Sequence, residues 1–277
     1  MKNKNENQIK KFIDDLKLKE KSKATIEKYE RDVKKFINFA DGKINKDSVL
    51  KYKEHLKKEY KIKSANSMIA SLNSFFIFIK KHKLKAKYFI LQKETFRHED
   101  KELLRSDYEI LIEEAKKREN KEISFILQTI CSTGIRISEL SFITVESVKK
   151  AEAVINLKGK VRRIFILPKL CKKLLEYAKE KNVLSGSIFV TKRGLPISRV
   201  SVWKKLKRLA KSAKVKESKV FPHNLRRLFA KCFYENEKDV IKLADLLGHS
   251  NVNTTRIYLQ SAGKEHRKML EGLNLLD

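Results

Sequence analysis

Cleaving a phosphodiester without a metal ion takes a nucleophile, positive charge for the non-bridging oxygens, an acid for the departing oxygen and a base for the nucleophile. Tyr, Arg, Lys and His side chains can supply all four. The chain carries candidates in four separated segments: Arg136 in STGIRISEL, Lys158 in NLKGKVRR, His223 and Arg226 in FPHNLRRLFA, and His249 with Tyr258 in LLGHSNVNTTRIY. The two arginines offer planar forks that match a pair of phosphate oxygens and stay charged at any working pH. A tyrosine hydroxyl has an ordinary pKa of about 10, so Tyr258 needs a proton acceptor to attack at neutral pH. No acidic cluster able to hold two magnesium ions stands out, which disfavours two-metal hydrolysis. Cys131, Cys171 and Cys232 lack any zinc-binding spacing and read as reduced core residues, and there is no phosphate-cradling glycine loop. No metal or nucleotide cofactor is expected.

These residues need elements to position them, and apolar periodicity supplies most of the outline. Ile26, Tyr29, Val33, Phe36 and Ile37 form one face of a helix with Ser22 or Thr25 as a cap; Asp47 can start a second with Val49, Leu50, Tyr52 and Leu56. A third runs through Met68, Ile69, Leu72, Phe75, Phe76 and Ile79. Helical patterning fades over 83–102, then resumes over 106–118 and 122–131, where Thr133 and Gly134 end it. The period then changes: 153–157 and 163–167 read as short strands around Lys158-Gly159-Lys160, a hairpin, and 187–190 as a further strand. Helices return at 198–213, 225–234, 239–247 and 254–259, with Trp203, Val200, Leu206 and Leu209 expected in the core.

The charge balance points to the partner. Lys and Arg number 65 against 34 acidic residues, a formal net charge of +31 on 277 residues. Such a field attracts a nucleic acid by releasing condensed counterions. The longest aromatic–aliphatic run, 75–79, is far too short to cross a bilayer, and the N-terminal segment has no apolar signal core. The expectation is a cytoplasmic protein with no membrane partner.

Taken together, the segments resemble those of the tyrosine recombinase, or phage integrase, family in order and spacing: TG-x-R-x-SEL, a hairpin lysine, H-x-x-R, then LGH-S followed nine residues on by Tyr. Singly, each has an ordinary reading, Arg136 as a solvated helix residue, Lys158 as a turn lysine, Tyr258 as a ring packed in the core. Their joint occurrence is what makes the match specific. SKATIEKYERDVKKFINFA is similar to the first helix of the family's N-terminal core-binding domain, so the resemblance runs from about residue 8 to the end and is strongest to simple Xer-type members. One departure is Arg227, where Xer proteins usually carry His; it and Arg256 read as DNA-backbone contacts or surface charges.

The resemblance implies a mainly α fold with a small β-sheet. Residues 1–88 would form an N-terminal helical core-binding (SAM-like) DNA-binding domain, 89–102 a linker and 103–277 an α/β catalytic domain with a C-terminal exchange tail, the two domains making a C-shaped clamp. It implies a site-specific recombinase acting on double-stranded DNA with a specific recombination site. Tyr258 would form a 3′-phosphotyrosyl intermediate, and His223 would accept its proton. Lys158 would protonate the departing 5′ oxygen; Lys160 is close enough to compete, and the position of the hairpin glycine favours Lys158. His249 would bond the phosphate and hold the Tyr258 region. Four protomers would assemble on two DNA sites, with strands exchanged through a Holliday junction. The tail, with Met269, Leu270, Leu273, Leu275 and Leu276, would either cap its own domain or pack into a neighbouring subunit. A second recombinase or accessory protein is a further partner the family allows. Rival readings are a type IB topoisomerase, a binding protein that has lost cleavage, and a structural RNA-binding protein, which explains the charge but not the constellation.

Overall fold

The computed structural model describes residues 2–90, 101–157, 160–259 and 271–272, leaving aside the side chains of residues 2–4, Leu157 and Lys160. The chain divides into two units, Met1–Lys93 and Glu94–Asp277.

The first unit is built of helices α1 (Lys2–Leu18), α2 (Lys23–Phe39), α3 (Lys46–Glu59) and α4 (Ile62–Phe78). Helix α1 precedes those anticipated from periodicity. Ile9, Phe12 and Leu16 line its buried stripe, and Phe12 meets Phe75 edge-on with ring centroids 5.4 Å apart. Its Lys- and Asp-rich outer face dilutes that stripe in the sequence. Ser22 caps α2 as expected, accepting from the Thr25 amide. Helix α3 starts one step earlier than Asp47: Asn45 is its cap, in a reciprocal capping box with Ser48, and Asp47 lies in the first turn. Leu50 faces outward, off the stripe of Val49, Tyr52 and Leu56. Asp32, fully buried between α2 and α4, is held by Lys28 at 2.7 Å and Ser71 at 2.9 Å.

Past α4 the chain stays tied to this unit. Asn73 exchanges two hydrogen bonds with the Ala86 backbone and Asn66 two with Phe89. At the other end of the expected linker, Asn224 donates to the Lys101 carbonyl and Lys231 pairs with Glu102. Phe89 is thus tied to the first unit, and Lys101 and Glu102 to the second.

The second unit comprises α5 (Arg105–Lys117), α6 (Lys121–Thr133), a 3-10 segment (Ile137–Phe142), α7 (Val145–Lys149), strands β1 (Glu152–Leu157) and β2 (Lys160–Phe165), α8 (Pro168–Glu180), α9 (Arg199–Ser212), α10 (Pro222–Glu237), α11 (Val240–Leu247) and α12 (Val252–Tyr258). The strands pair antiparallel in the register Glu152↔Phe165 to Leu157↔Lys160. Ala153, Ile155, Ile164 and Ile166 point into the main core while Val154, Arg163 and Phe165 point out, the two-residue alternation of a half-buried hairpin.

Two expectations are corrected here. The segment 187–190 is not a strand: it makes only isolated bridges, Thr144 to Ser187 and Val190 to Pro196. Trp203 and Val200 are not core residues, being 49% and 62% exposed. The buried stripe of α9 is Val202, Leu206, Leu209 and Ala210, so positions 200 and 203 fall on the neighbouring face. Apart from the main core, Ala230, Leu243, Leu247 and Tyr258 form a small cluster of their own between α10, α11 and α12.

Candidate active site

Three turns bring the basic residues together. At the end of α6 Gly134 adopts a left-handed backbone (φ +62°), and a Cβ there would lie 2.4 Å from the Phe229 ring, so only glycine fits. The turn delivers Arg136 to the head of the 3-10 segment rather than to an ordinary helix. A second left-handed glycine, Gly248 (φ +63°), ends α11 and delivers His249. Pro222 opens α10, which sets His223, Arg226 and Arg227 on its first two turns.

Glu139 is the hub. It is 2% exposed and accepts from the Arg136 amide (2.7 Å), from the Arg136 guanidinium (2.9 Å) and from Arg162 of β2, with Arg226 4.0 Å away. Burial pushes the Glu139 carboxyl upward, but the Arg136 amide and the Arg162 guanidinium outweigh it and hold the group below the usual carboxylate range. One carboxylate thus spaces three arginines that would otherwise repel.

Arg226 is 1% exposed. Its guanidinium donates to the carbonyls of Gly134 and Leu247, the two glycine-turn ends, and to His249 Nε2 at 3.1 Å. Its Nε is buried without a hydrogen-bond partner among the described residues. Burial, helped by the nearby Arg136, brings its pKa down to about 10, which leaves it charged at neutral pH.

An arginine can only donate, so Nε2 of His249 accepts and the ring proton sits on Nδ1, which donates to Thr255 Oγ1 at 2.9 Å. Burial first, then the charges of Arg226 and Arg136, lower the His249 pKa to about 4, consistent with a neutral ring. Tyr258 is 7% exposed and lies between the two imidazoles: the His249 ring is stacked on it at 5.3 Å, and the His223 ring is tilted at 5.0 Å. Its hydroxyl is 3.4 Å from His223 Nδ1.

Of the expected residues, Arg136, His223, Arg226, His249 and Tyr258 are brought into one site. Lys158 lies outside the described residues, between β1 and β2 in the sequence. Arg163 faces outward toward Glu152 (3.4 Å), whereas Arg162 is drawn in to Glu139 and the Leu246 carbonyl. Arg227 is not a surface charge: it is 7% exposed and donates to the carbonyls of Ile257 and Tyr258. Sequence reading passed over Glu139 and Thr255 as well. Glu139 carried a usable signal, its position three residues after Arg136 in a capping-box spacing; Thr255, in the run of polar residues before Tyr258, carried none.

A mainly helical unit with one small hairpin, presenting a phenol beside imidazole and paired arginines, is the combination that defines the tyrosine recombinases as a class. The model described as the phage integrase family matches residues 101–265, and that of the phage integrase N-terminal SAM-like domain matches residues 9–83. The chain belongs to the phage integrase family. Tyrosine recombinase XerA of Pyrococcus horikoshii is 29% identical over 282 residues, covering 97% of this chain and 94% of that protein. Tyrosine recombinase XerD of Halalkalibacterium halodurans is 27% identical over 261 residues, covering 86% and 87%. Among solved structures, XerH site-specific recombinase bound to palindromic difH substrate, a post-cleavage complex, superposes with a TM-score of 0.72 at 17% identity, covering 90% of this chain and 79% of that one. No described helix is long and apolar enough to cross a membrane.

Proposed function

We propose that this recombinase cuts and rejoins duplex DNA at a specific site by two matched transesterifications through Tyr258. The Tyr258 oxygen attacks the scissile phosphorus and its proton passes to His223, whose Nδ1 lies 3.4 Å from the hydroxyl. The phosphorus–oxygen bond to the 5′ side breaks, and Lys158 protonates the departing oxygen. The result is a 3′-phosphotyrosyl linkage and a free 5′ hydroxyl. A 5′ hydroxyl from the partner strand then attacks the linkage and returns the tyrosine, so the energy of the phosphodiester is conserved and no nucleotide is consumed.

Arg136 and Arg226 take the non-bridging oxygens of the pentavalent transition state. Glu139 fixes their spacing before DNA arrives, so little reorganisation is left for the chemical step. His249, as seated, has both ring nitrogens engaged by Arg226 and Thr255. The geometry therefore favours a role in orienting Arg226 and in packing on Tyr258 over a direct bond to phosphate. The observation that carries the reading is the Tyr258 hydroxyl 3.4 Å from His223, on the same helix as Arg226.

The net charge of +31 supplies the attraction to duplex DNA. As the family resemblance implies, we take the partner to be paired recombination sites in the cytoplasm, bound by four protomers, with strand exchange through a Holliday junction. The tail beyond residue 259, largely outside the described residues, would link subunits.

Covalent trapping tests the mechanism. Nicked duplexes carrying a candidate site are incubated with the protein in EDTA and resolved under denaturing conditions. A DNA-linked band in wild type that vanishes in Tyr258→Phe is the expected result. A band that persists in Tyr258→Phe would remove Tyr258 as the nucleophile.

A further inference from the structure

We infer that Arg227 is a positioning residue for the nucleophile, a latch that holds the C-terminal end of α12 so that the Tyr258 hydroxyl stays against His223. The inference rests on the proposed role of Tyr258 and adds to it a group that does not touch the reacting atoms.

Helix α12 is seven residues long, too short to persist without tertiary support. Its last carbonyls have no partner within the helix and carry the negative end of its dipole. Arg227 meets both needs: Nε donates to the Tyr258 carbonyl at 3.2 Å and a terminal nitrogen donates to the Ile257 carbonyl. The cation is buried, at 7% exposure, next to the still more deeply buried Arg226. Two adjacent buried guanidiniums are costly unless each is hydrogen-bonded. Arg226 is engaged by the glycine turns and His249, and Arg227 by the end of α12.

The spacing on α10 explains how one helix does this. His223 and Arg227 are four residues apart and so lie on one face, a single turn separating them. His223 meets the hydroxyl end of Tyr258 and Arg227 its backbone end. The same residue is thereby gripped at both extremities from one rigid element. A neutral imidazole at position 227 has one N–H to donate, so it cannot hold both carbonyls as the arginine fork does.

Three variants of the full chain, Arg227→Ala, Arg227→Lys and Arg227→His, separate this role from general folding. Single-turnover formation of the covalent complex at saturating DNA should slow about 10–100-fold in Arg227→Ala, the worth of a charged-donor interaction or two. Arg227→Lys, with one charged donor group, should recover part of the loss and Arg227→His less, while DNA affinity stays within about twofold of wild type in all three. Fluorine NMR of the free protein, with 3-fluorotyrosine at position 258, gives a second reading that needs no activity. The resonance should move toward its solvent value in Arg227→Ala as the ring leaves His223 and His249, and hold its place in Gly186→Ala, a change with nothing within 4 Å of the added Cβ.

Wild-type cleavage in Arg227→Ala, or an unmoved resonance, overturns the latch. So does a rate loss matched by an equal loss of DNA affinity, because that is the mark of a folding role. If wild type forms no Tyr258-dependent complex, the proposed chemistry fails instead, and the fluorine shift alone still decides whether Arg227 holds α12.

Discussion

Replacing Glu139 with Gln keeps its shape and removes its charge, and the geometry sets the size of the effect. Oε1 faces the Arg136 guanidinium; Oε2 faces the Arg136 amide and Arg162. Whichever way a Gln amide is turned, its NH2 meets a donor. At least one charge-assisted hydrogen bond, worth about 1.5–3 kcal/mol, becomes a clash of donors. Three arginines also lose their common counter-charge, and removing one partner of a buried ion pair costs about 3–5 kcal/mol. Arg136 is 42% exposed, so water screens its share, and Arg226 at 4.0 Å contributes through space only. The expected net loss is about 3–4 kcal/mol. For a unit of this size about 2–4 °C of melting temperature goes with each kcal/mol, so Glu139→Gln should melt about 6–16 °C lower at pH 7.

Glu109→Gln is the matched control. It removes the same charge from the same unit at an exposed i,i+4 pair with Arg105, where the expected effect is under about 1 kcal/mol. Because Glu139 is held below its unfolded pKa, its contribution is present above that value and lost as pH falls through the folded one. The gap between wild type and Glu139→Gln should therefore close in acid, below the usual carboxylate range. Calorimetry of both variants between pH 7 and pH 3 reads all of this. Equal melting of Glu139→Gln and Glu109→Gln at pH 7 would refute the hub.

Gly134→Ala combines left-handed strain of about 1–2 kcal/mol with overlap on the Phe229 ring, another roughly 1–3 kcal/mol. Gly186→Ala carries the strain alone, so urea midpoints should fall further for the first than for the second. His249 is neutral in the fold, with a pKa of about 4, and would be half-protonated near pH 6.5 when unfolded. Stability should therefore fall as pH drops from 6.5 toward 4, and His249→Asn should flatten that slope in urea titrations at pH 6.5, 5.5 and 4.5.

What the sequence made legible was periodic or local. The stripes of α2 and α4, the helical patterning of α5, α6 and α9 to α12, the caps at Ser22 and Gly134, and the hairpin are each written within a few residues of one another, whereas α7 and α8 were not anticipated. The strand expected at 187–190 failed because apolar runs say nothing about whether a neighbouring strand is available to pair. Trp203 failed because size and hydrophobicity do not choose between adjacent faces of one helix; only the partner surface does. Among the site residues, the five within the described chain lie near one another in the fold. Thr255 and Arg227 escaped because their roles lie in what they touch across the fold; Glu139 was local to Arg136, and only its pairing with Arg162 and Arg226 lies across the fold. Arg227 in particular looks like any other charge in a strongly basic chain until its carbonyl partners on α12 are seen.

The hairpin sets a limit on how this protein can change. Arg162 and Arg163 are neighbours on β2, yet the first reaches inward to Glu139 with its side chain 12% exposed and the second outward, 70% exposed. Only the pairing register decides which is which. A single residue gained or lost between Leu157 and Lys160 that slid β2 along β1 would exchange the two arginines, turn Ile164 out to solvent and bring Phe165 in. Connections between strands are ordinarily where insertions accumulate most freely. Here the length between β1 and β2 is coupled to the charge count around Glu139, and drift in that stretch should be confined to changes of residue type or to additions that leave the pairing in step.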